Sequence, residues 1–126
     1  MTTNTLLFRQ VSPSWVQAGR ITSQVFKPTP KDGKRLSVYD GDQISAADSW
    51  NHYKDSLGCI SVGVMAVTVA ECETQELSAE PDHDTFPEHV LINFDGHSNS
   101  KIEKQAKRLK FVSEIRGWQY EAEANE

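Results

Sequence analysis

Leu6 to Val11 is a short apolar run around one central arginine, Arg9, and Ser12-Pro13 closes it, a pattern that predicts a first strand ended by a turn. Pro13 also suits the start of a helical turn capped by Ser12. Arg20 to Phe26 alternates, with Ile21, Ser23 and Val25 on one side and Thr22, Gln24 and Phe26 on the other. Period and β-branching there predict a second strand. Lys27 to Lys34, with two prolines and Asp32-Gly33, reads as a loop. Leu36 to Tyr39 gives a third short strand, closed by Asp40-Gly41-Asp42, a turn in which Gly41 is expected to tolerate positive φ.

From here the period lengthens. Ser45 and Asp48 form a capping pair for a helix over about Ala46 to Leu57, which would bury Ala47, Trp50, Tyr53 and Leu57, with Gly58 as its stop. Cys59 to Val67 is nearly continuous in apolar and small residues, as in a central strand covered on both faces. Thr68 and Glu71 cap a short helix reaching about Leu77, and Ser78 to Pro87 reads as an acidic loop. Val90 to Phe94 is another strand. Ser100 and Glu103 open the longest helix, whose stripe runs Ile102, Ala106, Leu109, Val112 and Ile115 or Arg116 before Gly117 stops it. Trp118 to Tyr120 either adds an edge strand or packs back on the core.

The sum is an α+β chain, with a single mixed or antiparallel sheet and about three helices packed mainly on one face. One globular domain over 1–120 is expected, and 121–126 is an acidic tail expected to fray. At 126 residues, 37% hydrophobic and 25% charged, the chain has the size and composition of one core.

The net charge of -5 disfavours a nucleic-acid partner. The basic cluster Lys101, Lys104, Lys107, Arg108 and Lys110 reads as the solvated face of the last helix. No run approaches the roughly 20 apolar residues of a membrane span, and the first residues lack a basic start, so neither export nor a membrane partner is expected. Cys59 and Cys72 are read as reduced thiols in apolar segments, neither of them reactive.

Candidate chemistry is sparse. His83, His89 and His97 fall in one interval with Asp82, Asp84, Glu88 and Asp95, yet the spacing matches no metal pattern, and no metal and no cofactor are expected. His89 stands at the mouth of a strand, where a histidine can serve as acid or base or can close the end of the core. Ser23 and Ser37 are possible nucleophiles without a signature around them. Asp40-Gly41-Asp42 is explained by a turn, and the scattered glycines form no phosphate loop. Arg9 either faces solvent by alternation or turns inward, where it could clamp an anion.

Leu7-Phe8-Arg9, Ser23-Gln24-Val25-Phe26, Leu36-Ser37-Val38 and Pro87-Glu88-His89-Val90 together resemble a group of small uncharacterised bacterial proteins. These share x-[FY]-R, S-x-A-F, L-S-V and P-x-H-A motifs. Val25 and Val90 stand here where that pattern has alanine. The resemblance implies a bacterial intracellular origin and, for a shared site, Arg9, Ser23, Phe26, Ser37 and His89; it implies no reaction. The expected function is a cytoplasmic accessory protein acting through protein–protein contacts, with homo-oligomerisation left open. The alternative is a small transferase- or toxin-like enzyme in which Arg9 binds an anion and His89, Ser37 and Ser23 are the catalytic candidates.

Overall fold

The computed structural model describes residues 1–29, 31 and 33–123. Pro30 and Asp32 of the expected loop, and the last three residues of the acidic tail, lie outside the described residues. Strand β1 (Leu6–Gln10) leads into a 3-10 turn at Pro13–Trp15, where the Ser12 hydroxyl accepts from the Ser14 amide. Strands β2 (Val16–Gln17) and β3 (Arg20–Ile21) pair as a small ribbon, and a second 3-10 turn covers Ser23–Phe26. Then follow β4 (Arg35–Asp40), α1 (Ala46–Asp55), β5 (Gly63–Thr68), α2 (Val69–Thr74), β6 (Ser78–Pro81), β7 (His89–Asn93), α3 (Asn99–Arg116) and β8 (Tyr120–Glu121).

Six strands form one antiparallel sheet in the order β6-β7-β4-β1-β5-β8, so the α+β expectation holds. Alternation splits the core in two. Leu7, Val11, Met65 and Val67 face α2 and α3 in the larger cluster, while Phe8, Val64 and Ala66 face Trp50 of α1 in the smaller one. Two helices therefore share one face and α1 covers part of the other. Gly63 to Val67 is buried throughout, as a strand covered on both sides should be.

Several local expectations give way to packing. Arg20–Phe26 is not one strand. Val25 and Phe26 are neighbours and both are fully buried in the same cluster, which alternation cannot achieve, so the chain coils and presses both against the α3 side. Ser78 to Pro81 is an edge strand rather than loop, with its proline at the end of the strand, where the missing N–H is tolerated. Cys59 lies before the strand and is partly exposed, and Ile60 is 74% exposed. Leu57, expected inside, is exposed beyond the end of α1. Ser98, not Ser100, caps α3, and Ile115 faces solvent. Gly41 has no positive φ. A Cβ there would stand 2.5 Å from the Leu6 carbonyl oxygen, which its own amide hydrogen-bonds, so close approach demands the glycine.

No helix among the described residues is long and apolar enough to cross a membrane.

Candidate functional site at the parted strands

The centre of the sheet is where the site forms. Strand β1 pairs with β5 along its whole length and β4 with β7 along five residues, but β1 and β4 pair only at Leu7–Asp40 and Phe8–Tyr39. Beyond that point the two strands part, and the Arg9 side chain bridges them. Its Nη1 donates to the Ser37 carbonyl at 2.9 Å and its Nε to the Val25 carbonyl at 2.7 Å, while the guanidinium lies 5.0 Å from the centre of the Trp15 ring. Of the two positions open to Arg9, facing solvent or turned inward, it takes a half-buried one on the wall of a pocket. One of the carbonyls it bonds, that of Ser37, is left open where β4 parts from β1, and the other belongs to the second 3-10 turn.

On the other side of the gap lies a hydrogen-bonded chain of three side chains. Ser37 and His89 sit diagonally on one face of the β4–β7 pair, because Ser37 is opposite Leu91 and His89 opposite Tyr39. The Ser37 Oγ is 3.0 Å from His89 Nε2, and His89 Nδ1 is 2.9 Å from Asp82 Oδ2. The same oxygen accepts the Thr85 hydroxyl at 2.6 Å. The hydrogen bonds from Thr85 and His89 hold the Asp82 carboxyl below the usual carboxylate range. An ionised carboxylate can only accept, so His89 donates from Nδ1, and in the neutral ring that leaves Nε2 to accept from the Ser37 hydroxyl. His89 is buried while Ser37 is exposed, so the hydroxyl faces outward and its base is shielded.

A pocket of about 370 Å³ opens over this chain, lined by Arg9, Ser37 and His89 together with Trp15, Tyr53, Leu57 and Phe86 among others. Phe86 packs between the rings of His52 and His89, at 4.6 Å and 4.7 Å. Tyr39 shares a 2.8 Å hydrogen bond with His52 Nδ1, and burial pushes its phenol well above the ordinary tyrosine range. Burial also raises the Tyr53 phenol, with Cys59 adding to the rise and the Arg9 charge opposing it. Gln10 lies at the pocket edge. Ser49 already donates to the Ala46 carbonyl and so accepts from Gln10 Nε2, and the buried Gln10 Oε1 has no hydrogen-bond partner among the described residues. A larger recess of about 820 Å³ near Lys27 and Asn99 is lined, among the described residues, by no histidine, serine or cysteine.

Arg9, Ser37 and His89 are thus brought together, and Ser23 is not. It stands in the second 3-10 turn and lines a separate recess with Arg20, Lys107 and Lys110, and Phe26 is core. His83 is exposed and His97 bonds the Glu76 carbonyl; among the described residues no three acidic, histidine or cysteine side chains are placed to hold a metal. Both cysteines are free, and burial with the Glu71 and Glu73 charges pushes the Cys72 thiol up to about 12. Sequence reasoning did not assign Asp82 a role beside His89. Its signal was the β6–β7 hairpin, in which Pro81 pairs with Val90 and the Asp82 amide bonds the His89 carbonyl. Comparison with protein-family models, with curated proteins and with solved structures finds no match for this chain.

Proposed function

We propose that this protein is a small group-transfer enzyme in which Ser37 is the nucleophile, His89 its general base and Asp82 the group that holds the imidazole in the required tautomer. The observation that carries this reading is the unbroken chain from Ser37 Oγ through both ring nitrogens of His89 to Asp82, opening on a pocket. In the step proposed, Ser37 Oγ attacks an acyl carbon and its proton passes to His89 Nε2. The bond from that carbon to the leaving group breaks, and the leaving group takes the proton from Nε2. Water or an acceptor alcohol then attacks the acyl-serine, losing its proton to His89 Nε2, and the bond from the acyl carbon to Ser37 Oγ breaks as Oγ takes that proton back. Arg9, donating to Ser37's own carbonyl, sets a positive charge on the wall of the pocket in which negative charge builds on the oxygen of the attacked acyl group.

A fluorophosphonate probe tests it, because the probe phosphonylates only an activated serine, with fluoride leaving. Mass spectrometry should find the label on Ser37, absent from Ser37→Ala and formed at least about a hundredfold more slowly in His89→Gln. A Ser37 that reacts no faster than the other serines sinks the proposal.

A second reading, an accessory protein of the bacterial cytoplasm that works by docking, is supported by Phe111 and Ile115. One turn apart on α3, they are 63% and 71% exposed. It becomes the better reading if the probe leaves Ser37 untouched.

A further inference from the structure

We infer that the recess between the end of α2 and α3 binds a phosphate group that keeps a proton, as inorganic phosphate or as a phosphate monoester. The inference does not depend on the relay at Ser37. The recess has a volume of about 260 Å³, and none of its described lining residues is shared with the Ser37 pocket. Lys101, Lys104 and Arg108, at i, i+3 and i+7, stand on one face of α3 and line it. Glu76 lines it too and holds Lys101, so the described lining carries three cations against one carboxylate in a chain whose net charge is -5. Arg108 is steadied by a 3.2 Å bond from Nη1 to the Gln75 side-chain oxygen.

Cations alone would accept any anion, but the floor of the recess adds a second demand. Gln105 is 1% exposed, the one buried residue of the described lining. The Gln75 backbone carbonyl can only accept, so the carboxamide nitrogen is the atom that faces it, at 2.7 Å, and this identifies the other atom as the oxygen. That oxygen, Oε1, is buried and has no hydrogen-bond partner among the described residues. A buried acceptor left unmade is costly, and a ligand that brings a donor to it removes the cost. The two demands together select an anion that carries its own donor. A carboxylate ionised at neutral pH only accepts, and so does sulfate. A phosphate group retains a hydroxyl proton until its second ionisation, at a pKa of about 6 for an ester.

Phosphate and sulfate separate the two demands. Inorganic phosphate, glycerol 1-phosphate and sulfate are each titrated into the whole protein at about pH 6 and matched ionic strength, with the Gln105 carboxamide and Arg108 Nε–H resonances followed by NMR. Sulfate is doubly ionised there, so charge alone favours it, and a preference for phosphate requires the donor. Phosphate or its ester should bind about tenfold or more tightly than sulfate and shift both resonances. The tighter of the two names the source as the free anion or an ester. Lys104→Gln should weaken phosphate and sulfate alike, by about threefold, and leave their ratio unchanged. Gln105→Met should bring phosphate down to the level of sulfate; because Gln105 also ties α3 to α2, the ratio in the unmodified protein is the decisive measurement. Sulfate binding as tightly as phosphate, shifts that miss Gln105, a preference that survives Gln105→Met, or no saturable binding of any of the three overturns the inference.

Discussion

His89 acquires its properties from Asp82, seven residues back across a hairpin, and from Ser37, distant in sequence but adjacent in the sheet. Its Nδ1 meets Asp82 across the β6–β7 hairpin, and its Nε2 meets Ser37 on the neighbouring strand. The Thr85 hydroxyl completes the arrangement by holding the carboxylate still. Asp82→Asn would keep the shape but replace an obligatory acceptor with an amide able to donate, which permits the wrong imidazole tautomer. Labelling of Ser37 by the fluorophosphonate should then slow by about a hundredfold or more with the fold retained by circular dichroism. An unchanged labelling rate would show that Asp82 does not orient the base.

Among the elements, the parting of β1 from β4 opens the pocket, and two strands away β8 is seated tightly on the far side of β5. Gly63 makes that seating possible. A Cβ at this position would stand 2.6 Å from the Tyr120 carbonyl and 2.8 Å from the Trp118 ring, closer than real atoms approach. Gly63→Ala should therefore push β8 away, destabilise the protein by about 1–3 kcal/mol and weaken the near-ultraviolet signal of the Trp50–Tyr120 pair, whose rings are 5.3 Å apart. Denaturant unfolding reads the first and near-ultraviolet circular dichroism the second; wild-type values in both would show that β8 can yield without loss.

At the scale of the whole molecule, Arg116 joins the end of α3 to the start of α2 and to the sheet. It makes two bonds of 2.9 Å to the Glu71 carboxylate and one of 3.0 Å to the Ala66 carbonyl, while Glu71 also caps α2 through the Thr68 amide. Burial pushes the Glu71 carboxyl up, but the bonds from Arg116 and Thr68 outweigh it and the net shift is downward from 4.5. A depressed carboxyl contributes stability that is fully present above its ordinary value and is lost as pH falls through the lowered one. Arg116→Gln should thus lose about 1–2 kcal/mol near neutrality, the pair being only partly exposed to screening. The gap from wild type should narrow as the pH is lowered below about 4. A gap that stays constant into acid would assign the loss to the Ala66 bond alone.

Much of the fold was legible because the signals are local. Ser45 and Thr68 cap their helices through the Asp48 and Glu71 amides as the spacing predicts, Gly117 ends α3, and the apolar run before Thr68 is a central strand. The failures came where long-range packing overrode period. Phe26 and Val25 bury side by side, and Ser78 to Pro81 becomes a strand only because β7 offers an edge. Arg9, Ser37 and His89 could be named as candidates one at a time, but alternation says which side of a strand a residue faces and not where two strands separate. What the sequence by itself determined is the three helices with their caps and the central strands, since capping, period and turn chemistry act over a few residues. Only the tertiary structure decided that β1 and β4 part after two pairs, that Arg9 bridges the gap while Ser23 stays outside it, and that Asp82 backs His89. These depend on strand neighbours brought together from across the chain, whose positions no local pattern encodes.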